Sequence, residues 1–310
     1  MSPEKKEFSA EEKKAYAEKR KAELNATYKL VDETAEKIFT LSENPGNLKK
    51  LLDIYAKFPY MGINNALLLF AQYPNAQEIH TAAYWNEHNY RPKKGQHSFL
   101  LIEKGGEYTK KDGSKGVFRN AVRYFDISQT TAPAREQETT TYTSHALIKA
   151  LLKSCPVKYA SYDALTAEEQ WPDNIQAKYY PDTRQILIRK TLPFEVFFRN
   201  VGTALAMSML DRGGDFKSNE RLYMFDANCI SYLLCKKYNI DTSVFDFEDI
   251  PSAYMNYDTT RIKNKLYEIC EVNKNINEKM YRALQDILQD YQKGVEKSYS
   301  TASAPTDPTR

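Results

Sequence analysis

Residues 81–98 read TAAYWNEHNYRPKKGQHS, and three aromatic rings, Tyr84, Trp85 and Tyr90, stand directly before Arg91, Lys93, Lys94 and Gly95. Rings beside a basic, glycine-containing turn suit the binding of single-stranded nucleic acid, because bases stack on the rings while the cations follow the phosphates. Upstream, Asn64 and Asn65 open an apolar helical segment and Gln72 follows two turns later. Their amides can hydrogen-bond base edges or phosphates. The same residues could instead serve packing, with Tyr84 and Trp85 in the core and Asn64 capping its helix. Their clustering favours a binding role.

The charge pattern points the same way. Residues 91–123 hold nine basic side chains against three acidic ones, a local charge of +6 in a chain of net charge +3, which leaves −3 for the rest. Lys104 belongs to this segment. One basic segment on a near-neutral protein suggests a polyanion site. A solvated β-hairpin bearing ordinary lysines would look similar.

A second stretch raises a different chemistry. RQILIRKTLPFEVFFRNVGTALAMSML, residues 184–210, reads as a strand followed by an apolar helix with small residues at its centre. In many zinc hydrolases such a helix carries HExxH, two histidines on one face with a glutamate general base between them. The four histidines here are His80, His88, His97 and His145, so residues 193–292 contain none. Cys229 and Cys235 are six apart and do not share a helix face as an i, i+4 pair does. The second half therefore lacks a standard catalytic zinc site. There is no GxSxG elbow, no P-loop and no GxGxxG after a strand. A dyad of His145 and Cys155 is the remaining nucleophile to examine.

The elements that must position these residues follow from pattern and length. A chain of 310 residues suits two domains, and 42% hydrophobic with 27% charged residues is ordinary for a globular protein. No stretch reaches the roughly 18 to 20 apolar residues of a membrane helix, and the first residues have no apolar run of the kind a secretion signal carries. Four cysteines without a CxxC pair read as buried thiols of a reducing, cytoplasmic compartment. Ser9-Ala10-Glu11-Glu12 is a capping-box pattern that predicts a charged helix to about Asn25. A second helix is expected over YKLVDETAEKIFTLS, ending at Asn44-Pro45-Gly46, and others over LKKLLDIYAKF and INNALLLFAQY. HSFLLIEKGGEY and GVFRNAVRYFDI flank an Asp-Gly turn, a β-hairpin signature. Polar residues 128–141 read as a linker. Beyond it come a helix capped by Ser144, a hairpin turning at Pro181-Asp182, and helices at 193–211, 221–238 and 258–292.

GINNALLLFAQYPNAQ followed by YWNEHNYRPKKGQ resembles the N-terminal domain of ArdC-type antirestriction proteins and LtrC-like proteins of conjugative elements. The residues that carry the resemblance are Asn64, Asn65, Gln72, Pro74, Asn75, Trp85, Lys93, Lys94 and Gly95, and it spans roughly residues 28–128. It implies a single-stranded-DNA-binding domain. In the second half, YYPDTRQILIRK and MFDANCISYLLCKKYNIDTSVFDF resemble the companion domain of that family, a zinc-metallopeptidase-like fold. Where that family carries HExxH, this chain has Gly202, Thr203 and Ala206 in place of His, Glu and His. The later acidic ligand position falls at or near Asp226 and Asn228. The resemblance thus implies an emptied peptidase helix, kept for packing.

The combined expectation is an α+β protein: a helical N-terminal region with a small antiparallel sheet, then a zincin-like α+β domain lacking its metal site. The expected boundaries are a charged helix over 1–27, a single-stranded-DNA-binding domain over 28–128, a linker over 129–141, a degenerate metallopeptidase-like domain over 142–292 and a disordered tail over 293–310. The expected function is binding of single-stranded DNA, with RNA as the other polyanion, through Asn64, Asn65, Gln72, Tyr84, Trp85, Arg91, Lys93, Lys94 and Lys104. No cofactor, no metal and no catalysis are expected. The alternatives are a protein-interaction scaffold, using the second domain with an incidental basic hairpin, and a residual hydrolase.

Overall fold

The computed structural model describes residues 9–39, 46–134, 141–162, 175–214 and 216–302, with side chains to residue 293. The protein is α+β and its contacts divide it into two units, Met1–Glu138 with Phe247–Leu266, and Thr139–Asp246 with Tyr267–Arg310.

The first unit opens with α1 (Ala10–Ile38), whose N-terminus is closed by the expected capping box: Glu12 N–H donates to Ser9 Oγ and Ser9 N–H to Glu12 Oε2. One helix covers the span where two were expected. Nothing between Asn25 and Tyr28 breaks it, because Thr27 returns its hydroxyl to Glu23 O at 2.8 Å instead of competing for the backbone. The first turns are exposed all round, and burial starts at Thr27 with Val31, Thr34, Ala35 and Ile38. Gly46 (φ 98°) leads into α2 (Asn47–Lys57), and α3 (Ile63–Gln72) follows with Ala66 to Leu69 at 0% exposure. The expected breakers Asn44 and Pro45 lie outside the described residues.

A short strand β1 (Ile79–Thr81) and a six-residue helix α4 (Ala82–Glu87), neither expected, precede the hairpin β2 (Phe99–Thr109) and β3 (Lys115–Asp126). The sheet order is β1-β3-β2, all antiparallel. The turn forms as predicted: Asp112 accepts from Ser114 N–H and Oγ–H, and Gly113 takes φ 81°. A bulge at Gly105-Gly106 shifts the register between Lys104 and Glu107.

The open edge of β2 is closed by side chains. Asn65 Nδ2 donates to Ile102 O (2.9 Å) and its Oδ1 accepts from Ile102 N–H (2.8 Å). Gln72 repeats this at Leu100, with both bonds at 2.9 Å. Two turns of helix separate these amides and two residues of strand separate their partners. α3 therefore presents to β2 the donors and acceptors that another strand would offer, which is one way of covering an edge. Asn65→Ala and Gln72→Ala are each expected to cost about 2 kcal/mol, because each leaves a strand N–H and C=O unpaired; urea unfolding checks this.

The presumed linker begins later than the sequence suggests. Ile127–Gln129 form a 3-10 turn, Gln129 and Thr130 are buried at 3% and 0% exposure, and Thr130 bridges to Pro92. Residues 128–131 are thus part of the first unit, and 135–140 lie outside the described residues. The sequence reads this run as a linker because its polar side chains are spent on hydrogen bonds, some of them to residues far along the chain, and leave no apolar period.

In the second unit α5 (Ser144–Lys153) is capped by Thr143, one residue earlier than expected, with its hydroxyl accepting from Ala146 N–H. β4 (Lys158–Tyr162) was not expected; it pairs in parallel with β6 (Gln185–Arg189), which pairs antiparallel with β5 (Ala177–Tyr180) across the predicted turn. α6 (Phe194–Leu210) and α7 (Glu220–Lys237) pack together behind the sheet. The remaining α-helices are α8 (Ser252–Met255) and α9 (Thr259–Ala302), the latter ten residues longer at its C-terminus than the sequence predicts. Residues Phe247–Leu266, assigned by the sequence to the second domain, group with the first unit. There Tyr254 stacks on Phe39 at 4.4 Å and Lys263 pairs with Asp32 at 2.5 Å.

Candidate nucleic-acid interface

The residues named from the sequence fall into three places. Asn65, Gln72 and Trp85 build the fold. The two amides spend their donors and acceptors on β2, and Trp85 is fully buried with its indole N–H donating to Phe125 O at 3.1 Å. A ring at 0% exposure offers no face to a base, so Trp85 is not a stacking residue, and the two amides are not free to read one. The physical reason is shared. Asn, Gln and Trp each join a packing surface to a hydrogen-bonding tip, and a strand edge uses that tip as readily as a ligand does. Asn64, beside them on α3, is half-buried, and its amide has no hydrogen-bond partner among the described residues.

The second place is a column of rings beside a basic loop. Tyr84 is stacked on one side by His80 (centroids 3.6 Å, 18° between planes) and on the other by His88 (4.1 Å, 28°). The residues sit at i, i+4 and i+8, and the short helix α4 puts the last two on one face. His80 Nε2 lies 3.3 Å from Glu78 Oε1 at the inner end. His88 Nδ1 lies 2.8 Å from Tyr84 O, which orients the outer ring. Both faces of Tyr84 are thus covered, and the column ends on His88, which is exposed. The sequence reading missed His88 as a platform; the four-residue spacing of rings at 80, 84 and 88 is the signal that finds it.

The loop after this column is held by the 3-10 turn. Thr131 N–H donates to Arg91 O and Arg91 N–H to Thr131 Oγ1, while Lys93 N–H donates to Gln129 O at 2.8 Å and Lys93 Nζ to Ser128 O at 3.0 Å. Gly95 turns the chain with φ 85°. Beneath them Asp126, at 0% exposure, accepts from Gln77 N–H (2.5 Å), Glu78 N–H (3.1 Å), Ser128 N–H (3.0 Å) and Ser128 Oγ–H (2.6 Å). Arg91, Lys93 and Lys94 are exposed, and none has a carboxylate partner among the described residues.

The third place is the hairpin, where Lys104 is exposed and stands directly opposite Arg119. Two other cations of the basic segment are neutralised within the fold, Arg123 by Glu23 at 2.5 Å and Lys115 by Glu107 at 3.2 Å.

In the second unit, the positions where the sequence resemblance places metal ligands are occupied by packing between α6 and α7. Gly202 lies under Ser231, so that a Cβ there would stand 3.1 Å from its Oγ, and that hydroxyl donates to Arg199 O. Thr203 Oγ1 donates to Asn228 Oδ1 at 3.2 Å, and Ala206 and Asp226 are fully buried. His145 is the second residue of α5 and Cys155 lies two residues past its end, about 15 Å away at the helical rise. Burial pushes the Cys155 thiol up to about 12, far from the thiolate a nucleophile needs. Among the described residues no group of three or more His, Cys, Asp or Glu side chains converges as metal ligands do. None of their helices is long and apolar enough to cross a membrane.

No protein-family model matches the sequence, and no curated protein matches it. Among solved structures, the metal-free crystal structure of the antirestriction protein ArdC from plasmid R388 is similar at 15% identity and a TM-score of 0.49, over 72% of this chain and 86% of that one. The Mn(II)-bound structure of the same protein is similar at 13% identity and a TM-score of 0.45, over 77% and 96%. Both are structures of the ArdC antirestriction protein.

Proposed function

We propose that the first unit binds single-stranded DNA at the His80–Tyr84–His88 column and the adjoining loop, with Arg91, Lys93 and Lys94 neutralising phosphates and His88 receiving a base. The observation that carries this reading is the juxtaposition of an open stacked ring with three exposed cations that the fold leaves without carboxylates. Such a site is tolerant of sequence, because every base has a π-face and every nucleotide a phosphate. Asn64 lies on the neighbouring helix as a further amide, and Lys104 belongs to the hairpin.

The second unit is then a pseudoenzyme, a metallopeptidase-like scaffold in which Gly202, Thr203 and Ala206 pack instead of holding metal. The motif resemblance supports a role in antirestriction during conjugative transfer, where DNA enters as a single strand.

Fluorescence anisotropy of a labelled single-stranded DNA tests the reading. Binding should weaken with salt by about two logarithmic units per tenfold rise, because each of the three phosphates neutralised on a single strand releases about 0.7 counterion. Lys93→Glu/Lys94→Glu should weaken it about tenfold or more, and His88→Ala should lose a stacking contact of about 1–3 kcal/mol. Salt-independent binding, or none at low salt, rejects the proposal.

A further inference from the structure

Beyond Glu103 and Asn120 no third strand among the described residues joins the hairpin, since β1 pairs only with the Tyr124–Asp126 end of β3. What remains is a two-stranded ribbon whose side chains are exposed from Lys104 to Arg119, apart from the two glycines Gly105 and Gly116. It is stiffened on one face by Tyr108 and Phe118, in contact at 4.5 Å, with Tyr108 lying over Gly116 so closely that a Cβ there would stand 2.4 Å from its ring.

The charges of this ribbon are distributed unequally. Every carboxylate in it is engaged: Glu103 by the Tyr124 hydroxyl, Glu107 by Lys115 and Asp112 by Ser114. Lys104, Lys110, Lys111 and Arg119 are exposed and have no carboxylate partner among the described residues. Lys104 and Arg119 are also direct cross-strand partners, so two like charges face each other, an arrangement that weakens a β-pair. No carboxylate among the described residues pairs with either of them to offset this cost, and a polyanion would relieve it.

Resting on the binding reading above, we propose that the ribbon is a second, separate phosphate-binding arm, so that one nucleic-acid strand is held at both ends of the same sheet. The loop with Lys93 is bonded to residues 128–129, just past the Asp126 end of β3, whereas the arm ends at Lys115. Eleven residues of strand separate those ends, about 35 Å at the rise of an extended chain. At the 3.4 Å spacing of stacked nucleotides, about ten are needed to reach across. A strand shorter than this occupies one anchor, and a longer one occupies both and gains from the raised effective concentration of the second.

The test measures anisotropy of oligothymidylates of about six and about twenty nucleotides, lengths on either side of that span. Wild type is compared with Lys110→Glu/Lys111→Glu at the turn and Arg119→Glu on the ribbon, each checked for an unchanged melting profile. The expected result is that wild type binds the long oligonucleotide at least about tenfold tighter, and that both variants bind the short one like wild type but lose most of that gain. A gain with length that persists in both variants overturns the arm, since it then reflects only the number of registers available. Equal weakening at both lengths also overturns it, because the ribbon would then belong to the first anchor. Absence of binding at both lengths in wild type removes the function proposed above, and the arm with it.

Discussion

Trp85→Ala is expected to lower the unfolding free energy by about 3–5 kcal/mol, the range for removing a fully buried large aromatic side chain. The ring is at 0% exposure, its edge meets His80, Tyr84 and Tyr90, and its N–H is bonded to Phe125 O. Truncation opens a cavity between α4 and β3 and leaves a strand carbonyl unpaired. Trp85→Phe should recover most of the packing and lose only the hydrogen bond, about 1 kcal/mol. Urea unfolding of the three proteins gives the comparison. The sequence reading, in which Trp85 stacks on a base, predicts the opposite pattern: stability unchanged and DNA affinity lost. A midpoint for Trp85→Ala within error of wild type would restore that reading.

Asp126→Ala should cost a comparable amount, about 3–5 kcal/mol, for a different reason. Its carboxylate accepts four hydrogen bonds in a site without solvent, and removal leaves three backbone N–H groups and one hydroxyl without their partner. Asp126→Asn keeps one acceptor oxygen but points an amide N–H₂ at donors, so it should recover less than half of the loss. The effect reaches the loop proposed to bind DNA. The carboxylate holds Ser128 by its N–H and hydroxyl, Ser128 O accepts from Lys93 Nζ, and the next carbonyl, Gln129 O, accepts from Lys93 N–H, so the carboxylate sets where Lys93 stands. DNA affinity measured at a temperature where the variant remains folded should therefore fall, although Asp126 touches no ligand. A destabilised variant with full affinity would show that the loop keeps its place without the carboxylate.

Several features are legible in the amino-acid sequence because they depend on residues adjacent along the chain. The Ser9–Glu12 capping box, the Asp112-Gly113 turn and the strand alternation on either side of it act over a few residues, and they form as read. The α+β class follows from the same local periods, as does the absence of histidine from residues 193–292, which bears directly on the chemistry open to the second half.

Tertiary structure decided how each candidate side chain is used. Asn65, Gln72 and Trp85 are of types that bind nucleic acid well, and they stand at plausible positions. Yet strand β2 lacked a partner on one edge and β3 needed a cover, and these side chains met those needs. Residue type is blind to that competition, because an amide pairs with a strand backbone on the same terms as with a base. The polar run at 128–131 misled for a related reason, since its buried threonine and glutamine spend their polar atoms on backbone, Thr130 on Ile127 O and Gln129 on Asp126 N–H and His97 O. What the sequence determined by itself is the charge: nine cations between residues 91 and 123 with too few carboxylates to answer them. Which of them are neutralised and which stand free, at a loop on one end of the sheet and a ribbon on the other, follows from strand pairing between residues far apart in the chain, and only the folded protein settles it.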